Sequence, residues 1–130
     1  MLDINDGFSA YKSTSIDGRA AGADIHKLVL MLFDGFLDEL ESVTGHINQK
    51  RYDKKAQSIE KMMRILGGLE ASLDLESGNE IAINMKNLYE HCGQSLLQAS
   101  LKNDLNHIDS VRTVMTNLQE GWKGLGSQVV

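Results

Sequence analysis

Four histidines and one cysteine are the residues best suited to chemistry in this chain of 130 residues. An inward-facing di-metal site of the ferritin kind needs glutamates plus two Glu-x-x-His pairs on facing helices. The only comparable pair here is Asp104-Leu-Asn-His107, at the start of a predicted helix. His91 and Cys92 are adjacent, so on a helix they point about 100° apart and cannot grip one ion together. Cys92 falls on an apolar stripe, where a small core residue fits better than a nucleophile. His26, His46 and His107 are scattered, as surface or capping residues are. No catalytic residue, metal site or cofactor is predicted, and the chain does not read as an enzyme. A phosphotransfer histidine would need a lysine and a glycine shortly after it. Three residues after the histidines come Val29, Gln49, Gln94 and Ser110 instead. A histidine phosphotransfer-like bundle and a purely structural bundle remain as alternative readings.

The elements that carry these residues are helical. Hydrophobic residues make up 42% of the chain and aromatics only 5%, which favours an aliphatic helical core over a β-sandwich. The predicted fold is all-α, an antiparallel up-down-up-down four-helix bundle with a short N-terminal helical arm. One domain spans 1–130, divided into a mobile arm over 1–23 and a four-helix core over 24–126.

Asp24 is expected to cap helix one, which runs to about Lys50 with Ile25, Leu28, Val29, Leu32, Phe36, Leu40, Val43 and Ile47 as its stripe. Leu30, Met31, Phe33 and Leu37 lie off that stripe, so the first half is apolar nearly all round. Helix two runs from Tyr52 or Asp53 to about Leu73, its stripe formed by Ala56, Ile59, Met62, Met63, Leu66, Leu69 and Leu73. Its basic start, Lys50, Arg51, Lys54 and Lys55, reads either as a solvated face or as a partner for the acidic end of helix one. Helix three is expected to begin at Ser77 and reach about Lys102. Ile81, Met85, Leu88, Cys92, Leu96 and Ala99 line its face, widened by Ala82, Tyr89 and Leu97. Asp104 caps helix four, whose apolar seam runs from Leu105 to Leu125 and ends at Gly124 and Gly126.

Two features exceed what one seam needs. Met62 and Met63 are consecutive and cannot both enter the same seam. Gly35, Gly45, Gly67, Gly68 and Gly93 fall inside helical patterns, each costing roughly 1 kcal/mol against alanine. Core gap-filling and simple tolerance are one account; a groove with clearance for a partner helix is the other.

Several blocks are also similar to those of a known family. They are Ala10-Tyr11, Leu28-Val-Leu-Met-Leu-Phe-Asp-Gly35, Asn87-Leu-Tyr-Glu90, Leu96-Leu-Gln-Ala-Ser-Leu-Lys-Asn-Asp104, Leu118-Gln-Glu-Gly-Trp122, and the turn Ser72-Leu-Asp-Leu-Glu-Ser-Gly-Asn-Glu-Ile-Ala82. In this order and spacing the chain resembles the flagellin-specific export chaperones, the FliS family. It departs from the family at Asp24-Ile25, where many members carry Ser-Pro, at Phe8, and in having no proline.

The resemblance implies a cytoplasmic chaperone that binds the disordered C-terminal segment of flagellin, prevents premature polymerisation and supports secretion by the flagellar type III export apparatus. It also implies contact with an export gate component. With it, the apolar surplus is assigned to a flagellin-binding groove drawn from Leu28, Met31, Met62, Met63, Leu66, Leu69, Ile81, Met85 and Leu88. Ile4, Phe8 and Tyr11, spaced four and three apart, are assigned to a cap on the N-terminal arm.

Composition agrees with those expectations. A net charge of −5 and an isoelectric point near 5.3 argue against nucleic acid or an anionic membrane as the main partner. The single cysteine allows no internal disulfide and fits a reducing compartment. The stretch Met1–Asp6 lacks a basic region followed by an apolar run, unlike a signal peptide. No apolar run reaches the ~20 residues of a membrane span, so no direct membrane insertion is expected.

Overall fold

The computed structural model describes residues 18–75 and 78–125, and these form four α-helices joined by short links. Helix α1 spans Gly18–Asn48, α2 Tyr52–Ala71, α3 Glu80–Lys102 and α4 Leu105–Leu125. Consecutive helices pack against each other and α4 returns to α1, closing a four-membered ring. The expected up-down-up-down bundle is the observed one.

The helix starts differ from expectation in instructive ways. α1 begins at Gly18, so Asp24 lies inside it and caps nothing. The run Arg19-Ala-Ala-Gly-Ala23 is rich in the strongest helix former and contains no proline to stop it. α3 begins at Glu80 and its cap is Asn79, not Ser77: the Asn79 side chain accepts from the backbone N–H of Ile81 at 2.9 Å and of Ala82 at 3.4 Å. Gly78 has φ +71, a left-handed conformation that excludes it from a first helical turn. Ser77 itself lies outside the described residues, as does Gly126. At α4 the expected cap holds, with Asp104 Oδ1 accepting from Asn106 N–H at 2.8 Å.

The core runs the length of the bundle. α1 contributes Ile25, Val29, Phe33, Phe36, Leu40, Val43 and Ile47, so Phe33 belongs to the stripe and Leu28 and Leu32 only flank it. α2 contributes Ile59, Met62, Ile65, Leu66 and Leu69; Ile65 joins the stripe, and Ala56 faces solvent. On α3 the buried face is Ala82, Met85, Tyr89, Cys92, Leu96 and Ala99. Ile81 and Leu88, expected on that face, point outward at 57% and 38% exposure. The other four expected positions, Met85, Cys92, Leu96 and Ala99, are buried, and Ala82 and Tyr89, expected to widen the face, complete it.

Beside the exposed Ala56, Lys55 is buried, 7% exposed. Its Nζ donates to the Ser100 carbonyl and to Asn103 Oδ1, both at 2.8 Å, and sits 5.1 Å from the centre of the Tyr52 ring. Asn103 holds the left-handed position that ends α3. One ammonium thus satisfies a backbone carbonyl at the negative end of α3 and ties the first turn of α2 to the α3–α4 link. Replacing Lys55 by Met keeps the aliphatic stem and removes both bonds. The expected loss is about 1–3 kcal/mol, measured as a lower urea midpoint with an unchanged helical circular dichroism spectrum.

Candidate functional groove

The two sides of the bundle are held together differently. Between α1 and α4, polar ties recur along the length. Gln119 Nε2 donates to Asp34 Oδ1 at 2.6 Å, and Arg112 donates to Glu41 at 2.9 Å and to Thr44 at 3.4 Å. Trp122 Nε1 donates to the His26 carbonyl at 3.1 Å, and its ring stacks on the His26 imidazole. Between α2 and α3, among the described residues, such ties stand only toward the two ends. At one end is the Lys55 clamp. Toward the other, Lys86 Nζ lies 2.6 Å from Glu90 and 4.0 Å from Glu70, and the hydrogen bond and charge of Glu90 raise the Lys86 pKa.

Between those ties the α2–α3 surface opens into a groove of about 350 Å³. Met63, Leu66 and Gly67 form one wall, Gly93, Gln94 and Leu97 the other, with Tyr89 as floor and Glu70 and Glu90 at one end. The Tyr89 ring is 2% exposed and tilts against Phe33 at 6.4 Å, so core packing fixes the floor. Burial raises the Tyr89 hydroxyl above its ordinary pKa, keeping the floor uncharged.

Glycine sets the depth. A Cβ at Gly93 would stand 3.3 Å from Met63 Cε, 3.7 Å from its sulfur and 3.8 Å from Leu66 Cδ1. The Met63 thioether therefore lies directly over the Gly93 backbone. Gly35 carries no such constraint, because its nearest neighbour would be an ordinary 3.8 Å away.

The nine residues expected to line a groove separate into three groups. Met63 and Leu66 do line it. Met62, Leu69 and Met85 are core residues and support the bundle from beneath. The methionine pair is divided as its spacing requires, Met62 inward and Met63 toward the surface. Met31, Ile81 and Leu88 are exposed elsewhere, Met31 at 67%, and Leu28 is half-buried on α1. Ile4, Phe8 and Tyr11 lie outside the described residues. Gly67, Gly93, Tyr89 and Leu97 line the groove without having been assigned to it. Their trace in the sequence was the pair of in-helix glycines facing two large residues that widen the α3 stripe.

The groups capable of chemistry are not gathered here. Among the described residues no three of His, Cys, Asp and Glu converge to hold a metal. His46 Nδ1 accepts from Arg51 Nε at 3.1 Å, and His91 is exposed on α3. No described helix is long and apolar enough to cross a membrane. What the groove offers is an apolar trough with Met63 on one wall, suited to the side chains of a helix.

Comparison with known proteins agrees with that architecture. The family model described as "Flagellar protein FliS" matches residues 7–129. The chain is 36% identical to the flagellar secretion chaperone FliS of Salmonella typhimurium over 90% of this chain and 87% of that protein. It is 32% identical to the flagellar secretion chaperone FliSB of Pseudomonas aeruginosa, covering 88% and 91% respectively. The corresponding Bacillus subtilis chaperone is 25% identical over 94% of this chain and 87% of its own length.

Two outcomes test the groove and its surroundings. Gly93→Ala should leave stability equal or up to about 1 kcal/mol higher through helix propensity, while displacing Met63 and changing the methyl NMR resonance of that residue. Burial pushes the Cys92 thiol up to about 11. At about pH 8 the native thiol therefore stays protonated, and iodoacetamide should modify it at least about a hundredfold more slowly than the urea-unfolded chain.

Proposed function

The chain belongs to the FliS family of flagellar proteins, and from that premise we propose that it is a cytoplasmic export chaperone for flagellin. In this reading it binds the disordered C-terminal segment of a newly made flagellin. Binding keeps the segment from polymerising early and presents the complex to an export gate component of the flagellar type III apparatus. The protein acts by binding alone and catalyses no reaction. The observation that carries the proposal is the α2–α3 groove, apolar between polar ends and deepened by Gly93, on a bundle whose α1–α4 side is bonded shut.

A disordered amphipathic segment gains its helix only on a surface that buries its apolar face. Met63, Leu66 and Leu97 supply adaptable apolar contacts, and Gly67, without a side chain, lets the segment's backbone approach. The exposed Met31, Ile81 and Leu88, with the half-buried Leu28, provide further apolar footholds around the bundle for a segment that wraps rather than docks at one point. Ordering such a segment consumes part of the contact energy, which leaves binding reversible without ATP. We assign Ile4, Phe8 and Tyr11 to a cap that covers apolar surface until the client displaces it, favoured by tethering.

Purified chain should form a stable complex with its cognate flagellin and none with flagellin lacking the C-terminal segment; equal binding of the truncated form would place the site elsewhere. Because apolar contacts dominate, affinity should change little as salt rises. Phe8→Ala with Tyr11→Ala should leave the helical spectrum intact and raise ANS fluorescence. Flagellin should then bind at least as tightly if the arm only caps. Unchanged ANS, affinity and secretion together would remove the arm from the mechanism.

A further inference from the structure

The cations of this chain are distributed unevenly. Lys61, Arg64, Lys86, Arg112 and Lys123 each stand within 4.0 Å of a carboxylate. Lys50, Arg51, Lys54 and Lys102 have no carboxylate partner among the described residues, and all four lie at the end of the bundle where the α1–α2 and α3–α4 links meet. The Arg51 side chain donates to His46 Nδ1, and the buried Lys55 Nζ donates only to a carbonyl and an amide oxygen. Five cations thus face two carboxylates, Asp53 and Asp104, in a chain whose net charge is −5.

This grouping is held, not incidental to loose loops. Lys55 pins the α3 terminus at Ser100 and Asn103 beneath the Tyr52 ring. Lys50, Arg51 and Lys54 adjoin that clamp in sequence on one side, and Lys102 lies between its two acceptors on the other. Tyr52 is 44% exposed and Leu101 78% exposed at the same end. Lys50 through Lys54 enclose a shallow recess of about 360 Å³.

We propose that this end of the bundle is a second docking surface, separate from the groove, for a short acidic segment of a partner protein. Unpaired, solvent-facing cations attract carboxylates over a Debye length and orient the approaching chain. Tyr52 and Leu101 supply apolar contact for the residues between those carboxylates. A short segment fits better than a membrane or a long nucleic acid. Asp53 and Asp104 sit within the patch and the rest of the chain is strongly acidic, so an extended polyanion would meet repulsion beyond a few residues.

The probe is an oligoglutamate peptide titrated into the full ¹⁵N-labelled chain at low salt. Amide shifts should concentrate at residues 50–54 and 101–103 and disappear as salt rises. Lys50→Glu with Lys54→Glu should weaken binding at least about fivefold, and Lys102→Glu should weaken it in the same direction. Lys27→Glu, which reverses an unpaired cation elsewhere, should leave it unchanged. Shifts spread over other faces, no response to the peptide, or an equal response to oligolysine would overturn the proposal. Binding of phosphatidylserine vesicles or single-stranded DNA in place of the peptide would overturn it too, assigning the patch to a different polyanion.

Discussion

Every helix here depends on closing its apolar stripe against two neighbours. Segments of this length are marginal alone in water, and most of their stability comes from packing. The closure is tightest where α1 places Phe33, Phe36, Leu40 and Val43 at zero exposure against the other helices. α3 answers with Tyr89 and Leu96 in the core and with Gly93 on the side toward α2. There Met63 rests on Gly93 and leaves a trough instead of a ridge between α2 and α3. Where α3 carries no side chain, Met63 fills the space from across the seam.

Polar contacts then decide which sides of the ring can be approached. The α1–α4 seam carries hydrogen bonds from His26 to Thr44, and an incoming helix there would have to break them. The α2–α3 seam is tied at Lys55 and at Lys86 and is apolar between. An asymmetric bundle of this kind can bind along one side while the opposite side holds the fold. The role proposed for it asks for such a molecule, one that would remain folded while a disordered chain orders on it.

Much of this was legible in the sequence, and the failures have physical causes. Helix number, order and the Asp104 cap followed from apolar periodicity and capping chemistry. The α1 start was misplaced because Asp24 is a good cap in isolation, whereas the alanine-rich run before it extends the helix. On α3, Met85, Cys92, Leu96 and Ala99 are buried as expected, whereas Ile81 and Leu88 lie outside and Ala82 and Tyr89, expected only to widen the face, are buried in it. Apolar periodicity marks a stripe without fixing its edges. Of the residues assigned to a groove, Met62, Leu69 and Met85 turn inward to the core, because apolar periodicity does not separate a buried face from a groove beside it. Gly93 has no side chain to read, and its role emerges only when the distance to Met63 is known. Lys55 gave no sign of burial, since its partners lie 45 and 48 residues away.

The single tryptophan stands on the bonded side of the ring, 3% exposed and stacked on His26. Groove and indole therefore occupy opposite flanks of the molecule. Intrinsic fluorescence becomes an optical gauge of whether α4 is seated on α1, and it is insulated from events in the α2–α3 trough. An emission change on adding a ligand would report a loosening of the bundle itself, and a silent indole would report occupancy without unfolding. The chain carries its own internal standard for separating the two.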